Sequence, residues 1–589
     1  MSPIVYSIAE KSALGNDLLA NIKKDVDADE LRVLLSYPVV YIHFWPGKSL
    51  EYTDKLGRVI TKKMFNVYVG ESNDIIARTK EHYIAGANPS NWQSKLLDNQ
   101  SVAYLIVIGH YHFNKSFTLD LENRLIQYIS PGNNIENCFN GRGNPQNEYY
   151  PIKEFESVFN SVWRKLRKFN KDLFLSLSEI EKTAFFKASP LKKLTQDQLE
   201  AKEEILAKVY DALENKKDGQ LIFVQGEAGT GKTVLNSALF YELVTRGEDY
   251  FGHPINCHLM VNHDQQLHVY QQIAKRLNLG EDLVHKPTSF INKFSPNNKV
   301  DVAFIDEGHL LLTQGKQSYT GHNQLDDIMN RSRITVIMFD EYQVLTAEEY
   351  WEPAVLDRFK DISFRQRNLL GLSQQLRMQC SADTLRWITF FVEYRTLIEF
   401  KHDEHYEVKS FESPKDLHKA IVERASSDSL SRIVATYDWP YNKNESPNYG
   451  DDWSVRIDDW SLPWNYETEK RLTRTEQRAI RAQAWAEQKH TINEVGSTFT
   501  IQGFDLSYAG VILGPSVKYR NHEIVFDPSE SHNNKAKQKR TMSDGSKTSF
   551  GETFIRNEVK VLLTRGVKGL YIYACDNELR QALKNIAKI

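Results

Sequence analysis

Gly226-Glu-Ala-Gly-Thr-Gly-Lys232-Thr233 follows the apolar run Leu221 to Val224 and opens a helical pattern from Thr233 to Leu243. Strand, glycine-rich loop and helix in that order are what a phosphate-binding loop requires. The glycines free the backbone to wrap phosphates with its N–H groups, and the helix N-terminus adds positive potential. Candidate nucleotide contacts are therefore Gly226, Glu227, Ala228, Gly229, Thr230, Gly231, Lys232 and Thr233. Lys232 offers a point charge to the phosphates and Thr233 a hydroxyl to Mg²⁺. A loop of this kind sits at the C-terminal end of a strand in a parallel α/β sheet, so the stretch also sets the fold class.

Downstream, Val302-Ala-Phe-Ile-Asp306-Glu307 presents an apolar strand ending in two acids. Asp306 is placed to hold Mg²⁺ and Glu307 to polarise the attacking water, which reads as an NTPase. Apolar β runs recur between helical segments at Leu221–Val224, His258–Val261, Val302–Ile305 and Thr335–Phe339. A second set follows at Arg432–Thr436, Ala509–Leu513, Val559–Leu563 and Leu570–Ala574. Two tandem RecA-like lobes of parallel sheet are expected, residues 195–365 and 366–589, after a small α+β domain at 31–150. Residues 1–30 read as an extension and 151–194 as a helical linker.

The chain has 589 residues, 41% of them hydrophobic and 26% charged, with a net charge of −3. That length allows roughly four domains and excludes a lone small binding module. The charge balance gives no global attraction to nucleic acid, so any such contact is local. The four cysteines show neither zinc spacing nor a disulfide framework. Apolar runs fall short of a membrane span and the N-terminus lacks a signal pattern, so the chain reads as soluble and cytoplasmic. Five of the ten tryptophans, Trp439, Trp453, Trp460, Trp464 and Trp485, fall within 437–490. They read as core filler of a small insertion rather than as base-stacking platforms. Ser529 to Thr548, with Lys535, Lys537, Lys539 and Arg540, reads as a mobile, solvated loop.

Six motifs in order resemble a superfamily 1 helicase core, most of all the Schlafen group 3-type DNA/RNA helicase domain of bacterial proteins. Besides the loop and the acids, Thr195-Gln-Asp-Gln198 resembles the motif that reads adenine, and Val261-Asn-His-Asp-Gln-Gln266 lies where such enzymes touch a single strand. Phe339-Asp-Glu-Tyr-Gln343 is similar to the third motif, Gln375-Leu-Arg377 to the fourth, Thr498-Phe-Thr-Ile-Gln502-Gly503-Phe-Asp505 to the fifth and Leu563-Thr564-Arg565 to the sixth. The resemblance implies that Gln343 couples the γ-phosphate to the strand. It also implies that Arg377 and Arg565, both taken to lie in the second lobe, reach the phosphate when the lobes close on ATP.

The region 31–150 resembles GIY-YIG nucleases. Val39-Val40-Tyr41 stands for the first triplet and Tyr68-Val69-Gly70 for the second; Arg78 and His82, four apart, share a helix face. The resemblance makes Tyr41, Tyr68, Arg78 and His82 catalytic and Glu122 the ligand of one Mg²⁺ or Mn²⁺ ion. Val39 stands where the family has glycine, and residues 42–67 separate the two tyrosines, which a hairpin around Lys55-Leu-Gly-Arg58 absorbs. The asparagine that follows the glutamate is Asn133, Asn134, Asn137, Asn140 or Asn144, with Asn134 favoured.

These features together imply an ATP-driven translocase or helicase carrying a metal-dependent DNA endonuclease, with bacterial defence against foreign DNA as its setting. Two other readings stand beside it: a helicase-like ATPase whose nuclease fold only binds DNA, and an ATP-switched clamp that recruits a partner. RNA stays open as the substrate, because the helicase motifs mostly touch backbone.

Overall fold

The computed structural model describes the chain except residues 1, 10–16, 54–58, 84–90, 100–101, 141–148, 316–318, 373–374, 429, 443–444, 446, 448–451, 481–482, 502–503 and 587–589. It forms two compact units, Met1–Lys193 with Val269–Leu283, and Leu194–His268 with Val284–Ile589.

The first unit contains β1 (Ile4–Ala9), β2 (Val39–Pro46), β3 (Leu50–Thr53), β4 (Val59–Lys62), β5 (Phe65–Ser72), β6 (Tyr104–Gly109) and β7 (Ile135–Phe139). Five of these make one sheet in the order β1-β6-β2-β5-β7. β2 pairs antiparallel with β5 and β6, and β7 runs parallel to β5. Central β2 reads as an unbroken run because both of its faces are covered: Val39 to Trp45 are all buried. β3 and β4 form a separate antiparallel ribbon that takes up much of the chain between Tyr41 and Tyr68. The expected turn around Lys55–Arg58 lies outside the described residues.

Two expected boundaries need correction here. Residues 1–30 are no mere extension, since β1 closes one edge of the sheet against β6. Residues 151–194 are no mere linker: the helix Phe155–Phe169 buries Phe155, Val158, Phe159, Val162, Trp163 and Leu166 along one face. Within the same unit Arg276 donates to Ser130 O at 2.9 Å and lies over the Phe185 ring.

In the second unit the strands continue as β8 (Gln220–Gly226), β9 (Cys257–Val261), β10 (Val284–His285), β11 (Val300–Asp306), β12 (Ser332–Phe339) and β13 (Leu369–Leu372). They form an all-parallel sheet in the order β10-β9-β11-β12-β8-β13. Next come β14 (Glu407–Ser410), β15 (Arg432–Ala435), β16 (Ser454–Ile457), β17 (Trp460–Pro463), β18 (Val495–Gly496) and β19 (Leu506–Leu513). The chain finishes with β20 (Val517–Arg520), β21 (Glu523–Phe526), β22 (Arg540–Thr541), β23 (Lys547–Thr548) and β24 (Gly566–Ala574). Of these, β14-β24-β19-β15-β18 make a second parallel sheet. Two RecA-like parallel-sheet lobes result, each with helices packed on its buried strands.

The first lobe runs past residue 365, because β13 pairs with β8. Arg377 therefore stands at the junction of the lobes: it follows the last strand of the first, and Met378, next to it, packs in the core of the second. Val559–Leu563 is helical, not a strand: it ends the helix Gly551–Leu563, which buries Phe554, Ile555, Val559 and Leu562. A short apolar run cannot by itself distinguish a buried strand from a buried helix end. The tryptophans are core filler as expected: Trp439, Trp464 and Trp485 are buried, and Trp453 and Trp460 pack against the same cluster as Trp464. Among the described residues no helix is long and apolar enough to cross a membrane.

Ser529 to Thr548 is not a free loop. Arg540, buried, donates to Thr313 Oγ1 (2.9 Å), Ala347 O (2.7 Å) and Thr313 O (3.2 Å), and Ser543 donates to Glu352. Phe550, just beyond, stacks on Tyr350 at 3.8 Å. The segment expected to be a solvated loop is instead fastened by Arg540 to the first lobe. Replacing Arg540 with alanine strands these acceptors and Glu352 in a buried place, at a cost of about 3 kcal/mol. Urea unfolding of Arg540→Ala against the unaltered chain measures it, and an unchanged midpoint means that other contacts hold the segment.

Candidate nucleotide site and tyrosine cluster

The phosphate loop follows β8, where the parallel sheet opens its C-terminal edge. Gly229 and Gly231 have φ of 89° and 80°, a region that side chains disfavour. Space forbids a side chain as well: a β-carbon on Gly231 would lie 2.0 Å from Gln198 Nε2, and one on Gly229 2.7 Å from Arg377 Cβ. Lys232 Nζ donates to Gly226 O (2.7 Å) and Glu227 O (2.8 Å) and lies 3.5 Å from Asp340 Oδ2. Gln198 caps its own helix, its Oε1 accepting from Thr195 N, while its Nε2 donates to Thr230 O at 3.1 Å. Both ends of that amide are thus engaged, and the residue expected to read adenine braces the phosphate loop.

Asp306 ends β11, buried, and Glu307 follows it with φ 49°, a left-handed conformation kept by its surroundings. Gln266 Nε2 donates to Glu307 Oε1 at 3.2 Å, and His309 Nε2 lies 3.4 Å from Glu307 Oε2. Burial opposes the charge on Glu307, yet His309, Lys232, Gln266 and Arg565 together hold its pKa below the ordinary carboxylate value. After β12, Asp340 accepts from Gln343 Nε2 at 2.7 Å, and Gln343 Oε1 accepts from Arg565 Nη2 at 3.0 Å. Lys232, Asp340, Gln343 and Arg565 therefore form one buried line from the phosphate loop to the second lobe. Arg565 is fully buried, and burial, then neighbouring Arg377, draws its pKa down to about 9, which leaves it charged at neutral pH.

Arg377 sits beside the loop, with Leu376 N donating to Gly229 O (2.8 Å) and its own Nε 2.5 Å from Asp505 Oδ1 of the second lobe. A cavity of about 710 Å³ opens between Gly226–Glu227, Asp340–Tyr342, β13 and the second-lobe residues Lys560 and Thr564. A cradle only glycine can form, one lysine, and the hard oxygens of Thr233 and Asp306 suit a nucleoside triphosphate with Mg²⁺. Of the fifth motif, Thr498 donates to Glu558 at 3.3 Å, and Gln502 and Gly503 lie outside the described residues.

In the first unit Tyr41 OH and His82 Nε2 share a hydrogen bond of 2.7 Å, and Arg78 Nε donates to Tyr41 OH at 3.3 Å. The Tyr68 ring lies 6.1 Å from Tyr41 and 5.5 Å from His82, with Trp92 stacked on it at 3.8 Å. Burial raises both tyrosine pKa values, so the phenols are neutral. Burial also opposes the charge on Arg78, but Tyr41, Glu81 and Tyr68 raise its pKa above the ordinary value. Glu122, on the helix Lys115–Ile129, accepts from Asn140 Nδ2 at 2.6 Å, and the same nitrogen donates to Val69 O at 2.7 Å. The favoured asparagine is thereby corrected. Asn134 turns its amide to Asp172 O, and Asn140, left-handed at the end of β7, is the one that meets Glu122. Asn144 lies outside the described residues. Among the described residues no three His, Cys, Asp or Glu side chains gather as a metal cage.

Asp340, Gln266, His309 and His43 belong to these clusters without having been singled out in the sequence. The first three stand inside or beside quoted motifs. His43 is two residues from Tyr41, hence on the same face of β2, with its ring 5.4 Å from His82.

Residues 219–576 match the family model described as the Schlafen group 3, DNA/RNA helicase domain. The chain belongs to this family. Its second unit is accordingly a helicase-like, nucleic-acid-binding ATPase core. An uncharacterised protein of Saccharomyces cerevisiae is 30% identical over 432 residues, covering 67% of this chain and 91% of the yeast protein. The chain is similar to the PRRSV helicase at 10% identity, with a TM-score of 0.25 and coverage of 63% of this chain and 54% of that one. A DEAD box protein from Methanococcus jannaschii matches at 13% identity, with a TM-score of 0.26 and coverage of 71% and 95%.

His82 also carries a pH dependence. Burial first, then His43 and Arg78, lowers its pKa from 6.5 to about 3, so it stays neutral in the fold but takes a proton when unfolded. The unfolded chain then binds the extra proton below pH 6.5. Stability is therefore full above that value and is lost as the pH falls toward 3. Between pH 7 and pH 5 the loss from this group is about 2 kcal/mol. Urea unfolding at both pH values checks it, with a smaller drop expected in His82→Asn than in the unaltered chain.

Proposed function

We propose that the chain is an ATP-driven translocase acting on single-stranded nucleic acid, with a tethered metal-dependent endonuclease. The observation that carries the motor is the buried line from Lys232 through Asp340 and Gln343 to Arg565. A phosphate bound at Lys232 changes the charge at one end of this line and so biases the lobe that holds the other end. Glu307, ionised and fixed by Gln266 and His309, takes the proton of the attacking water. Arg565 and Arg377 offset the charge that develops on the transferred phosphoryl group. Mg²⁺, held by Thr233 and Asp306, neutralises phosphate charge when bound. Repeated closing and opening of the lobes moves the strand. The chain works in the cytoplasm in this reading.

The tyrosine cluster supports the nuclease. The hydrogen bond shared by neutral His82 and Tyr41 fixes the phenol oxygen where it can orient the attacking water; Arg78 faces the charge on the phosphate; Glu122, oriented by Asn140, offers oxygen to one divalent ion. DNA is the proposed substrate. Among the described residues no contact speaks for restriction of foreign DNA.

Glu307→Gln is expected to lower ATP turnover by about 10²–10⁴-fold, and Arg565→Ala by about 10³–10⁵-fold. Single-stranded DNA should accelerate hydrolysis by the unaltered chain. Turnover indifferent to DNA, with DNA binding gated by nucleotide, favours the clamp. Mg²⁺- or Mn²⁺-dependent nicking of supercoiled plasmid should vanish in Glu122→Gln; a plasmid left intact by the unaltered chain leaves the first unit as a binding module.

A further inference from the structure

A second cavity of the helicase core, about 300 Å³, shares no lining residue with the nucleotide cavity. The half-buried rings of Tyr437, Tyr441, Tyr466 and Phe499 line it. Asn465 and Ser497, both buried, line it as well, and exposed Asn534 and Lys535 stand at its rim. Its size lies at the lower end of the range for small-molecule pockets, enough for a flat ring system.

Three observations bear on what it holds. Asn465 is 3% exposed, yet neither its amide oxygen nor its amide nitrogen has a hydrogen-bond partner. Ser497 Oγ and Tyr441 OH are likewise buried and unmatched. Three unmatched polar side chains around one cavity are uncommon in a folded protein and point to a missing partner. A side-chain amide pairs a donor with an acceptor, the pattern that matches the edge of a nucleobase.

The backbone at that place is held under strain. Asn465 and Tyr466 are consecutive left-handed residues, with φ of 49° and 58°. The turn is kept by Asn465 N donating to Val495 O and by the Tyr466 and Thr468 N–H groups donating to buried Glu494. Such strain persists where surrounding structure over-determines it, which is common at binding sites. The neighbours also fit a strand: Tyr466 OH accepts from Gln265 of the stretch Val261–Gln266, and Phe499 belongs to the fifth helicase motif. Lys535 supplies charge for an adjacent phosphate.

We propose that this cavity receives one nucleobase, turned out of a bound single strand, stacked on the tyrosine and phenylalanine faces and read at its edge by Asn465. The inference rests on the reading of this core as a nucleic-acid motor. Base–aromatic stacking tolerates any base, so the pocket grips bases in general.

The test is fluorescence anisotropy of the full chain with labelled oligothymidylate of about 12 nucleotides and with an abasic strand of equal length. The abasic strand should bind roughly 10-fold more weakly. In Asn465→Gly, which keeps the left-handed backbone, and in Tyr441→Leu, the two strands should bind alike. Unfolding midpoints show which variants fold, and Asn465→Asp, of nearly the same shape, replaces Asn465→Gly if that one does not. Equal binding of both strands by the unaltered chain overturns the pocket and leaves the motor standing. A preference that survives in the variants also overturns it. Binding of neither strand overturns the motor reading itself. Free thymidine monophosphate competing at the oligonucleotide's own concentration marks a mononucleotide site and removes the strand from the proposal.

Discussion

Buried charge is the constraint on which the helicase core depends. Lys232, Asp340, Glu307 and Arg565 all lie out of water, and such groups are tolerated only where each finds partners of opposite charge or hydrogen bonds. Gln343 is the hinge of that arrangement, its amide nitrogen bound to Asp340 and its amide oxygen to Arg565. The first lobe pairs Lys232 with Asp340 and Glu307 with Gln266 and His309, while Arg565 of the second lobe takes its partner Gln343 from the first. The second lobe is therefore held against the first by the same groups that surround the phosphate loop. Arg540 adds a second, remote fastening on Thr313 and Ala347.

The parts of this core legible in the sequence were those whose local pattern is also their global role. The phosphate loop needs a strand before it and a helix after it, and those three features are contiguous in the chain. Asp306 and Glu307 end an apolar run whose only place is inside a parallel sheet. What local pattern could not assign were residues whose partners are distant in sequence. The lobe boundary beside Arg377 lies past residue 365 because short β13 pairs with β8, far upstream. Gln198 braces the phosphate loop through Thr230, a partner far downstream of it. Arg540 sat in a lysine-rich, polar stretch whose composition resembles a solvated loop, and only its buried acceptors reveal otherwise.

The tyrosine-bearing strands of the first unit pack closely. A β-carbon at Gly70 would lie 2.5 Å from the Cζ and OH of Tyr41, so that position needs glycine. Val39 pairs with Ser72 at the far end of the same ladder and fills core. A valine there is accommodated without disturbing either tyrosine. The long separation of the two tyrosines is likewise harmless, because the β3–β4 ribbon lies outside the main sheet. The identity of the asparagine was not decidable from spacing, since five candidates follow Glu122 within reach. Pairing β7 parallel to β5 selects Asn140, which ends β7 where Val69 and Glu122 are both within hydrogen-bonding distance.

Arg565 bears most directly on how the proposed motor would be driven. It is already bonded to Gln343 and to Phe504 O, with no contact to water. A phosphate that reaches it must compete with those bonds or be bridged to it through them. Differential interaction of that kind is what a ligand needs in order to shift one arrangement of lobes toward another. Were Arg565 solvated, a phosphate would merely replace water and the lobes would feel little. Because it is buried and paired, a phosphate bound in the proposed motor would act on the lobes through Gln343, beside the Arg377–Asp505 and Arg540 contacts that also join them.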